Sequence, residues 1–533
     1  MKRLGLVFLF IFSVLLIVPN AGGESGSQPA TGISEQEIQD FLQKKEARLS
    51  LNACLQLALK NNLEIAIQRV EPEISEQKLV QEKSVFDSRV SVGVSKDQSV
   101  KQTSSSFASP PENKNQDYNI NAGIARKWAP GTETDLSAVN NRNETNSAFA
   151  GLNPSYSSEL ILSLTQPLLK DFGIGTNTSG IRIAANNKEI SRFQFQSHVM
   201  QILFDVESIY WELVYTIEDQ KVQQESLQLA EDFLKITRSK VDVGVLPPID
   251  ILEAEAEKAA REEGVITAED ALRDAEDSLR KALNLTDDPR YWEIRLTPAD
   301  EPVVAAEIED LPEQIRTAME SRPDIHQAKV DLENKQIQLK YTKNQLFPRV
   351  DLVGSIGLSG LSGAAQPQPD FRNPGATTEN PFGGNNPDSL RELKSGDYYS
   401  YTVGIKVEYP LGNRSARSEK VMADLENQKA VMAVKDLENQ VIRDVREAYR
   451  QIETDRKRVA AAEAARRLAE ERLRSETQRF EVGLGISHDV LEYQEKLSTA
   501  RSRELRARVD FRKSLAHLEQ IKGTLLQSKG IGL

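Results

Sequence analysis

The sequence is poor in cysteine and in aromatic residues. Its single cysteine, Cys54, has no partner for a disulfide, and it lies too far along the chain to be the lipid-modified first residue of a lipoprotein. Because Cys54 falls within a helical pattern, we expect a small buried helix residue. Aromatic residues make up 6% of the chain and charged residues 28%, with long stretches of Ala, Glu, Lys, Leu and Arg. This composition predicts extended helices rather than several compact domains.

The residue patterns of known catalytic and metal sites are absent from the sequence. The four histidines, His198, His326, His488 and His517, occur singly, and none has metal-ligand spacing to another His or Cys. The sequence contains no glycine-rich phosphate loop and no serine nucleophile elbow. We therefore predict no catalytic residue, no metal site and no cofactor, and a protein that is not an enzyme.

The chain has no excess of positive charge. Its net charge is −13 at pH 7, and Lys and Arg alternate with Glu along the helical stretches without forming a cluster. Binding of nucleic acid requires a basic patch or stripe, so we expect no nucleic-acid partner.

After residue 20 no apolar run is long enough for a membrane helix, so a later membrane-spanning segment would have to consist of strands. Before that point, Lys2 and Arg3 precede the apolar run Leu4–Val18, and small residues follow at 21–23. This order predicts a signal peptide over residues 1–23, with a retained N-terminal anchor as the alternative. A Gly- and Ser-rich flexible segment is predicted to follow over residues 24–47.

Two copies of one turn stand out in this background. Residues 241–253 read VDVGVLPPIDILE, and residues 480–492 read FEVGLGISHDVLE. In both, a Val-Gly pair precedes an aliphatic residue, an Asp lies six positions after the glycine, and Leu-Glu closes the segment. Each copy interrupts a long charged helical pattern, so we interpret each as the tip of a helical hairpin. The glycines, Gly244 and Gly483, suit such a tight turn.

Several short segments alternate apolar and polar residues, which is the period of a strand with one apolar face. They include Arg89–Ser95, Glu159–Thr165 and Tyr401–Tyr409. Such strands suit a membrane β-barrel, although two half-buried soluble sheets are the alternative. One chain supplies too few strands to close a barrel, so several chains would have to combine theirs.

The order of predicted elements occurs twice along the chain, which indicates an internal duplication. Both copies run through a helix, strands, a long helix, a tip and a second helix. The first repeat is predicted over residues 48–310, with strands over about 86–166, a helical hairpin over about 176–284 and a linker over 284–310. The second is predicted over 311–527, with strands over about 348–410 and a helical hairpin over about 413–527.

Motifs in this order resemble those of the outer membrane efflux protein family, the TolC-like outer-membrane factors, over about residues 48–527. The motifs are the opening Leu49-Ser50-Leu51, the strand-ending Gln166-Pro167-Leu168 and Tyr409-Pro410-Leu411, and the two Val-Gly tips. The resemblance implies a mainly α-helical fold with a membrane β part. Long antiparallel coiled-coil hairpins would form a periplasmic α-barrel, and a homotrimer would combine four strands per chain into a twelve-stranded outer-membrane β-barrel.

The resemblance also implies a function. The chain would be the outer-membrane exit duct of a tripartite efflux or type I secretion system in a Gram-negative bacterium. Its partners would be outer membrane lipid, a periplasmic membrane-fusion adaptor protein and an inner-membrane pump of RND or ABC type. The alternative from another class is a non-channel cell-surface coiled-coil protein with a structural or adhesive role.

Roles for residues near the tips follow from the same resemblance. The adaptor would dock on both tips, at Val243, Gly244, Val245, Val482, Gly483 and Leu484. Asp489 and Glu492 would ring the periplasmic entrance, where three copies would raise each other's carboxyl pKa values. The alternative is a helix-capping Asp489 beside an ordinary surface Glu492.

Family members also hold the closed entrance with polar ties between hairpins. By position, Asp250 and Arg508 are the candidate gate ties. Phe480 lacks a hydroxyl and Gly485 lacks a side chain, so we expect the closed state to be held differently or more weakly here. The strands near residues 119–139 depart from the four-strand pattern, and we expect them to extend an extracellular hairpin rather than to join the barrel.

Overall fold

The chain forms long helices and one large sheet. The structure is a computed structural model that describes residues 46–102, 112–286, 289–304, 309–370 and 375–532. The predicted signal peptide and nearly all of the predicted flexible segment lie outside these ranges.

The helices are α1 Leu51–Asn61, α2 Leu63–Lys83, α3 Ile174–Asn177, α4 Ser179–Asp242, α5 Ile249–Ala282, α6 Leu311–Ser321, α7 Pro323–Asn344, α8 Asn386–Ser395, α9 Arg414–Glu481, α10 Ser487–Lys522 and α11 Leu525–Ser528, with single 3-10 turns at Ser84–Phe86 and Pro289–Tyr291. The strands are β1 Glu46–Leu49, β2 Arg89–Gln102, β3 Glu112–Lys127, β4 Glu133–Thr145, β5 Leu152–Pro167, β6 Arg295–Pro298, β7 Arg349–Ala365, β8 Gln368–Pro369, β9 Thr377–Thr378 and β10 Tyr399–Glu408.

Helices in the two halves of the chain have similar lengths. Helices α1 and α6 each have 11 residues, α2 and α7 have 21 and 22, α4 and α9 have 64 and 68, and α5 and α10 have 34 and 36. At about 1.5 Å per residue, α4 and α9 each extend about 100 Å. The two long hairpins, α4–α5 and α9–α10, therefore determine the length of the molecule.

The helices pack side by side in two different orders. Next to the large sheet the order is α2, α4, α7, α9, and towards the tips it is α5, α4, α10, α9. Helices α4 and α9 continue through both regions. Ile202, Val206 and Leu213 of α4 are buried, and they are spaced as in a heptad seam. Cys54 is fully buried and unpaired, which confirms that prediction.

A small parallel sheet joins the start and the end of the first repeat, and the sequence did not predict it. Strand β1 pairs with β6, Glu46 opposite Arg295 through Leu49 opposite Pro298. The predicted flexible segment therefore ends in a strand, and the predicted linker over 284–310 contains one. Buried Tyr210 of α4 fixes this sheet, because its hydroxyl donates to the Leu49 carbonyl at 3.2 Å and to Asp300 Oδ2 at 2.8 Å.

The large sheet has six antiparallel strands in the order β10-β7-β5-β4-β3-β2. The expectation that the strands near 119–139 extend an extracellular hairpin is wrong, since β3 pairs along β2 and β4 along β5. Arg89, which begins β2 just after the helices, lies opposite Ala125 near the end of β3. The β3–β4 turn, with Gly131 at φ 96°, therefore lies at the helical end of the sheet.

Candidate functional site

The two predicted tips have the same backbone geometry. Gly244 and Gly483 adopt φ values of 81° and 77°, in the left-handed region where a side chain is disfavoured. The amide of the residue after each glycine reaches back five residues to close the helix. Val245 N donates to Lys240 O and Leu484 N to Arg479 O, both at 2.8 Å. The conserved spacing of the two turns thus produces two superimposable helix ends.

Both turns expose large apolar side chains at the end of the molecule. The exposed fractions are 73% for Val243, 65% for Val245, 70% for Val482 and 74% for Leu484. Aliphatic side chains this exposed contribute nothing to the hydrophobic core of the single chain. An apolar group exposed at a protein end is typical of a surface that another protein covers.

An apolar cluster joins the two hairpins just behind these turns. Phe480 is 3% exposed and packs on Phe233 with ring centroids 5.1 Å apart. The ammonium of Lys240, from the other hairpin, donates to Phe480 O at 2.8 Å and lies 4.0 Å from the Phe480 ring centroid. Phe480 therefore holds the two tips together within one chain, which explains why it needs no hydroxyl.

Asp489 and Glu492 lie half-buried on the first two turns of α10. The helix has Ile486 at its N-cap without a side-chain hydrogen bond, so Asp489 does not cap it. A hydrogen bond from Lys496, 2.5 Å from the Glu492 carboxylate, lowers the pKa of Glu492. The raised pKa values expected for three copies stay a prediction, but within one chain the pKa of Glu492 is shifted in the opposite direction.

Cations surround the predicted entrance carboxylates, and the sequence analysis missed them. Tyr493 has the Arg472 guanidinium 5.2 Å and the Lys496 ammonium 4.7 Å from its ring centroid. Arg472 and Lys496 thus bring two positive charges to the same helix surface as Asp489 and Glu492. Lys496 follows Glu492 by four residues, a spacing that predicts a helical ion pair. Arg472 belongs to a different helix, so no sequence spacing indicates it.

The structure does not bring the candidate gate ties together. Asp250 lies in the first turn of α5 at the tip, whereas Arg508 is 21 residues along α10, about 30 Å higher. Arg508 instead pairs with buried Glu504 at 2.6 Å. Their role between neighbouring copies stays a prediction. Gly485 lies tightly against the backbone of Phe480, where a Cβ would come within 3.0 Å.

The six-stranded sheet has one apolar and one polar face. Directly paired residues form continuous rows, because paired side chains share a face. One row across all six strands is Val90, Ile124, Leu136, Leu162, Ile356 and Tyr401, and each is at least 40% exposed. The neighbouring row on the opposite face is Arg89, Ala125, Asp135, Ser163, Ser355 and Thr402.

The lateral edges of the sheet and of the adjoining helices lie on the same two sides of the chain. Strands β2 and β10 are the outermost strands, and each has one edge that pairs with no other described strand. Helix α2 leads into β2, and β10 leads into α9. Both helices expose apolar stripes: Leu63, Ile67, Val70 and Ile74 on α2, and Val421, Met422, Leu425 and Met432 on α9.

The described ranges contain no group of three or more His, Cys, Asp or Glu side chains that could hold a metal ion. His326 stacks on Phe193 at 5.3 Å, and His517 packs against Phe204 at 5.5 Å. Burial lowers the pKa of His517. These two histidines have structural partners.

Within the described ranges, no helix is both long and apolar enough to cross a membrane.

Comparisons with known proteins agree on one family and fold. The family model described as outer membrane efflux protein matches residues 112–285 and 314–524, more than half of the chain. The outer-membrane channel OprN is similar with a TM-score of 0.64 and 14% identity, over 93% of this chain and 94% of that one. The Campylobacter jejuni CmeC outer membrane channel gives 0.62 and 15%, over 95% and 91%. The Vibrio cholerae outer membrane protein VceC gives 0.61 and 16%, over 89% and 96%. Comparison with curated protein sequences finds no match.

Proposed function

This chain belongs to the outer membrane efflux protein family, and from this premise we propose that it is an outer-membrane exit duct. Three copies would form a channel whose sheets cross the outer membrane and whose hairpins extend through the periplasm. The duct would serve a tripartite efflux or type I secretion system. It would catalyse no reaction and would depend on its partners for energy.

The observation that carries this proposal is the exposed apolar row across all six strands. A soluble sheet would cover such a row with a second layer, whereas lipid covers the outer face of a membrane barrel. The opposite face carries Ser, Thr and charged side chains, which suit a water-filled interior. The unpaired edges of β2 and β10 cannot remain open in lipid, so they would pair between neighbouring copies.

The number of strands per chain changes the expected barrel. Three copies with six strands each would close a barrel of eighteen strands instead of the twelve that the family resemblance implies. At the same strand tilt, barrel width grows roughly in proportion to strand number, so the outlet would be about one and a half times as wide.

The exposed tips support docking of a periplasmic adaptor protein, itself attached to an inner-membrane pump. Val243, Val245, Val482 and Leu484 would meet apolar residues of the adaptor, with Gly244 and Gly483 shaping the turns. Their equal geometry offers two equivalent docking points per chain. The half-buried Asp489 and Glu492 would lie at the entrance beside these docking points.

The test separates channel formation from docking. Purified protein is reconstituted into planar lipid bilayers, and resistance to an exported toxic compound is measured in cells. We expect wild type to conduct, and Val482→Asp with Leu484→Asp to conduct equally but to abolish export. The exposed pair Glu495→Gln and Thr499→Ala on α10 is the control and should preserve both. A wild-type protein that fractionates as a soluble rod without conductance would overturn the proposal.

A further inference from the structure

A basic and aromatic row lies on the apolar face of the sheet, at the end away from the helices. Lys96 of β2 is opposite Tyr118 of β3, Tyr118 is opposite Arg142 of β4, and Arg142 is opposite Tyr156 of β5. These residues follow Val94 and Ile120 at a spacing of two, so they continue the same face. The inserted strands β3 and β4 supply the two central members.

The geometry places two cations on one aromatic ring. The Lys96 ammonium lies 5.0 Å and the Arg142 guanidinium 5.3 Å from the Tyr118 ring centroid. Arg142 also pairs with Glu144 at 3.1 Å, whereas no acidic side chain in the described ranges lies within ion-pair distance of Lys96. Tyr118 therefore holds two positive charges side by side without full neutralisation.

The Lys96–Tyr118–Arg142 row lies at one end of the apolar part of this sheet face. At the other end, Arg126 lies over Trp128 at 4.4 Å. Eight residues separate Tyr118 from Arg126, about 27 Å along the strand. Because strands of outer-membrane barrels tilt by about 35–45°, this length corresponds to about 20 Å of height, close to the apolar band of about 25 Å that has aromatic residues at both boundaries.

We propose that the Lys96–Tyr118–Arg142 row binds phosphorylated head groups of membrane lipids in the leaflet far from the helices. This proposal rests on the membrane location proposed above. Guanidinium and ammonium groups donate charge-assisted hydrogen bonds to phosphate, and the acyl chains would lie on Val94 and Ile120. Helix α8 covers β5 and reaches β4 beside Arg142, through Ser389 bonded to Ser158 and Asn386 bonded to Asn140, so the row is open over β2 and β3. Its direct continuation into the apolar row favours a lipid over free phosphate.

The experiment uses the full chain reconstituted in nanodiscs of phosphatidylcholine with or without phosphatidylglycerol. Bound lipid is counted by native mass spectrometry after transfer to detergent. We expect retained phosphatidylglycerol to fall about fivefold for Lys96→Gln and again for Arg142→Gln, the usual effect of one basic residue near an anionic surface. Lys101→Gln is the matched control, because Lys101 lies on the same strand but on the opposite face.

Three other results would overturn the inference. The double variant could retain as much phosphatidylglycerol as wild type, or Lys101→Gln could lose as much as Lys96→Gln. Millimolar inorganic phosphate could also raise the melting temperature of wild type in phosphatidylcholine discs as much as phosphatidylglycerol does, which would indicate a phosphate site without lipid specificity. Failure of wild type to enter nanodiscs would instead contradict the proposed membrane location.

Discussion

The lateral edges of this chain differ between the sheet end and the tip end. At the sheet end, α2 and the start of α9 expose aliphatic stripes. At the tip end the edge helices are α5 and the last part of α9, and both are strongly charged. Helix α5 carries eleven acidic and five basic residues, whereas residues 455–481 of α9 carry six acidic and eight basic residues. Neighbouring copies in a ring would therefore meet through apolar contacts at one end and opposite charges at the other.

This difference separates two tasks. Salt does not screen apolar contacts, so the sheet end suits a permanent interface between copies. Exposed ion pairs contribute little free energy each and are screened by salt, so the tip end can separate at low cost. In the proposed trimer, the same chain would thus combine an end that holds the copies together with an end that opens.

Replacing one residue on each edge should distinguish the two ends most strongly. Ile67 on α2 and Ile266 on α5 are 66% and 67% exposed, so they match in type and exposure. We expect Ile67→Glu to dissociate the trimer in detergent, because the interface would bury an unpaired charge. Ile266→Glu should remain trimeric by light scattering. If both variants stayed trimeric, or if both dissociated, the edges at the sheet end and at the tip end would not differ in their role in assembly.

Excising the inserted hairpin should change the sheet end without changing the tip end. Strand β2 ends and β5 begins at the same end of the sheet, so a short Asn-Gly link can replace residues 103–151. With Gln102 opposite Leu152 across that two-residue turn, Arg89 would lie opposite Thr165, which keeps both faces in alternation. We expect the largest polymer that enters from the sheet side to become smaller, while the ion selectivity set at the tips stays constant. An unchanged polymer limit would show that β3 and β4 do not line the outlet.

Salt should weaken the contacts between copies at the tip end but not those at the sheet end. Raising ionic strength from about 0.1 to 1 M shortens the screening length from about 10 to 3 Å. We expect open probability in planar bilayers to rise a few-fold, beyond the change in bulk conductivity, while the trimer persists. Glu253→Lys on α5 should mimic this at low salt. Dissociation of the trimer in high salt would instead show that the ionic contacts hold the copies together.

The smallest expected effect concerns the seam between the two hairpins of one chain. Burial alone would raise the pKa of Glu212 on α4, but hydrogen bonds from Arg506 and Lys513 outweigh it and lower the pKa to about 2. The resulting stability is full above about pH 4.5 and is lost as pH falls through about 2.

Glu212→Gln should therefore lower the free energy of unfolding at pH 7 by about 1 kcal/mol after allowance for its partial exposure, and the difference from wild type should shrink towards pH 2. Glu218→Gln on the same helix, where Glu218 is more exposed and pairs with nearby Lys221, is the matched control and should leave stability nearly unchanged. If Glu212→Gln lowered the free energy of unfolding equally at all pH values, the stabilisation would not come from ionised Glu212.

Periodicity and turn residues predicted the long helices, the two tips and the alternating strands. They could not predict the place of β3 and β4, because a period of two defines faces but does not name the neighbouring strand. The pairing of β1 with β6 was missed for a related reason. Each has four residues, and about 250 residues of chain separate them.

At the site, sequence and resemblance placed the tip residues at the exposed end, but failed where distance across helices matters. Asp250 and Arg508 have suitable charges, yet the length of α10 keeps them apart. Phe480 was interpreted through the hydroxyl it lacks, while its ring fills the contact between hairpins. Arg472 beside Tyr493 depends on the packing of α9 against α10, and one-dimensional spacing contains no information about it.

The even number of inserted strands has an evolutionary consequence. An inserted hairpin leaves and returns at the same end of the sheet and keeps inward and outward positions in phase. Such insertions can therefore accumulate one hairpin at a time without any compensating change in the helices. In the proposed channel, the width of the outlet and the docking surface at the tips would then be able to change independently of each other.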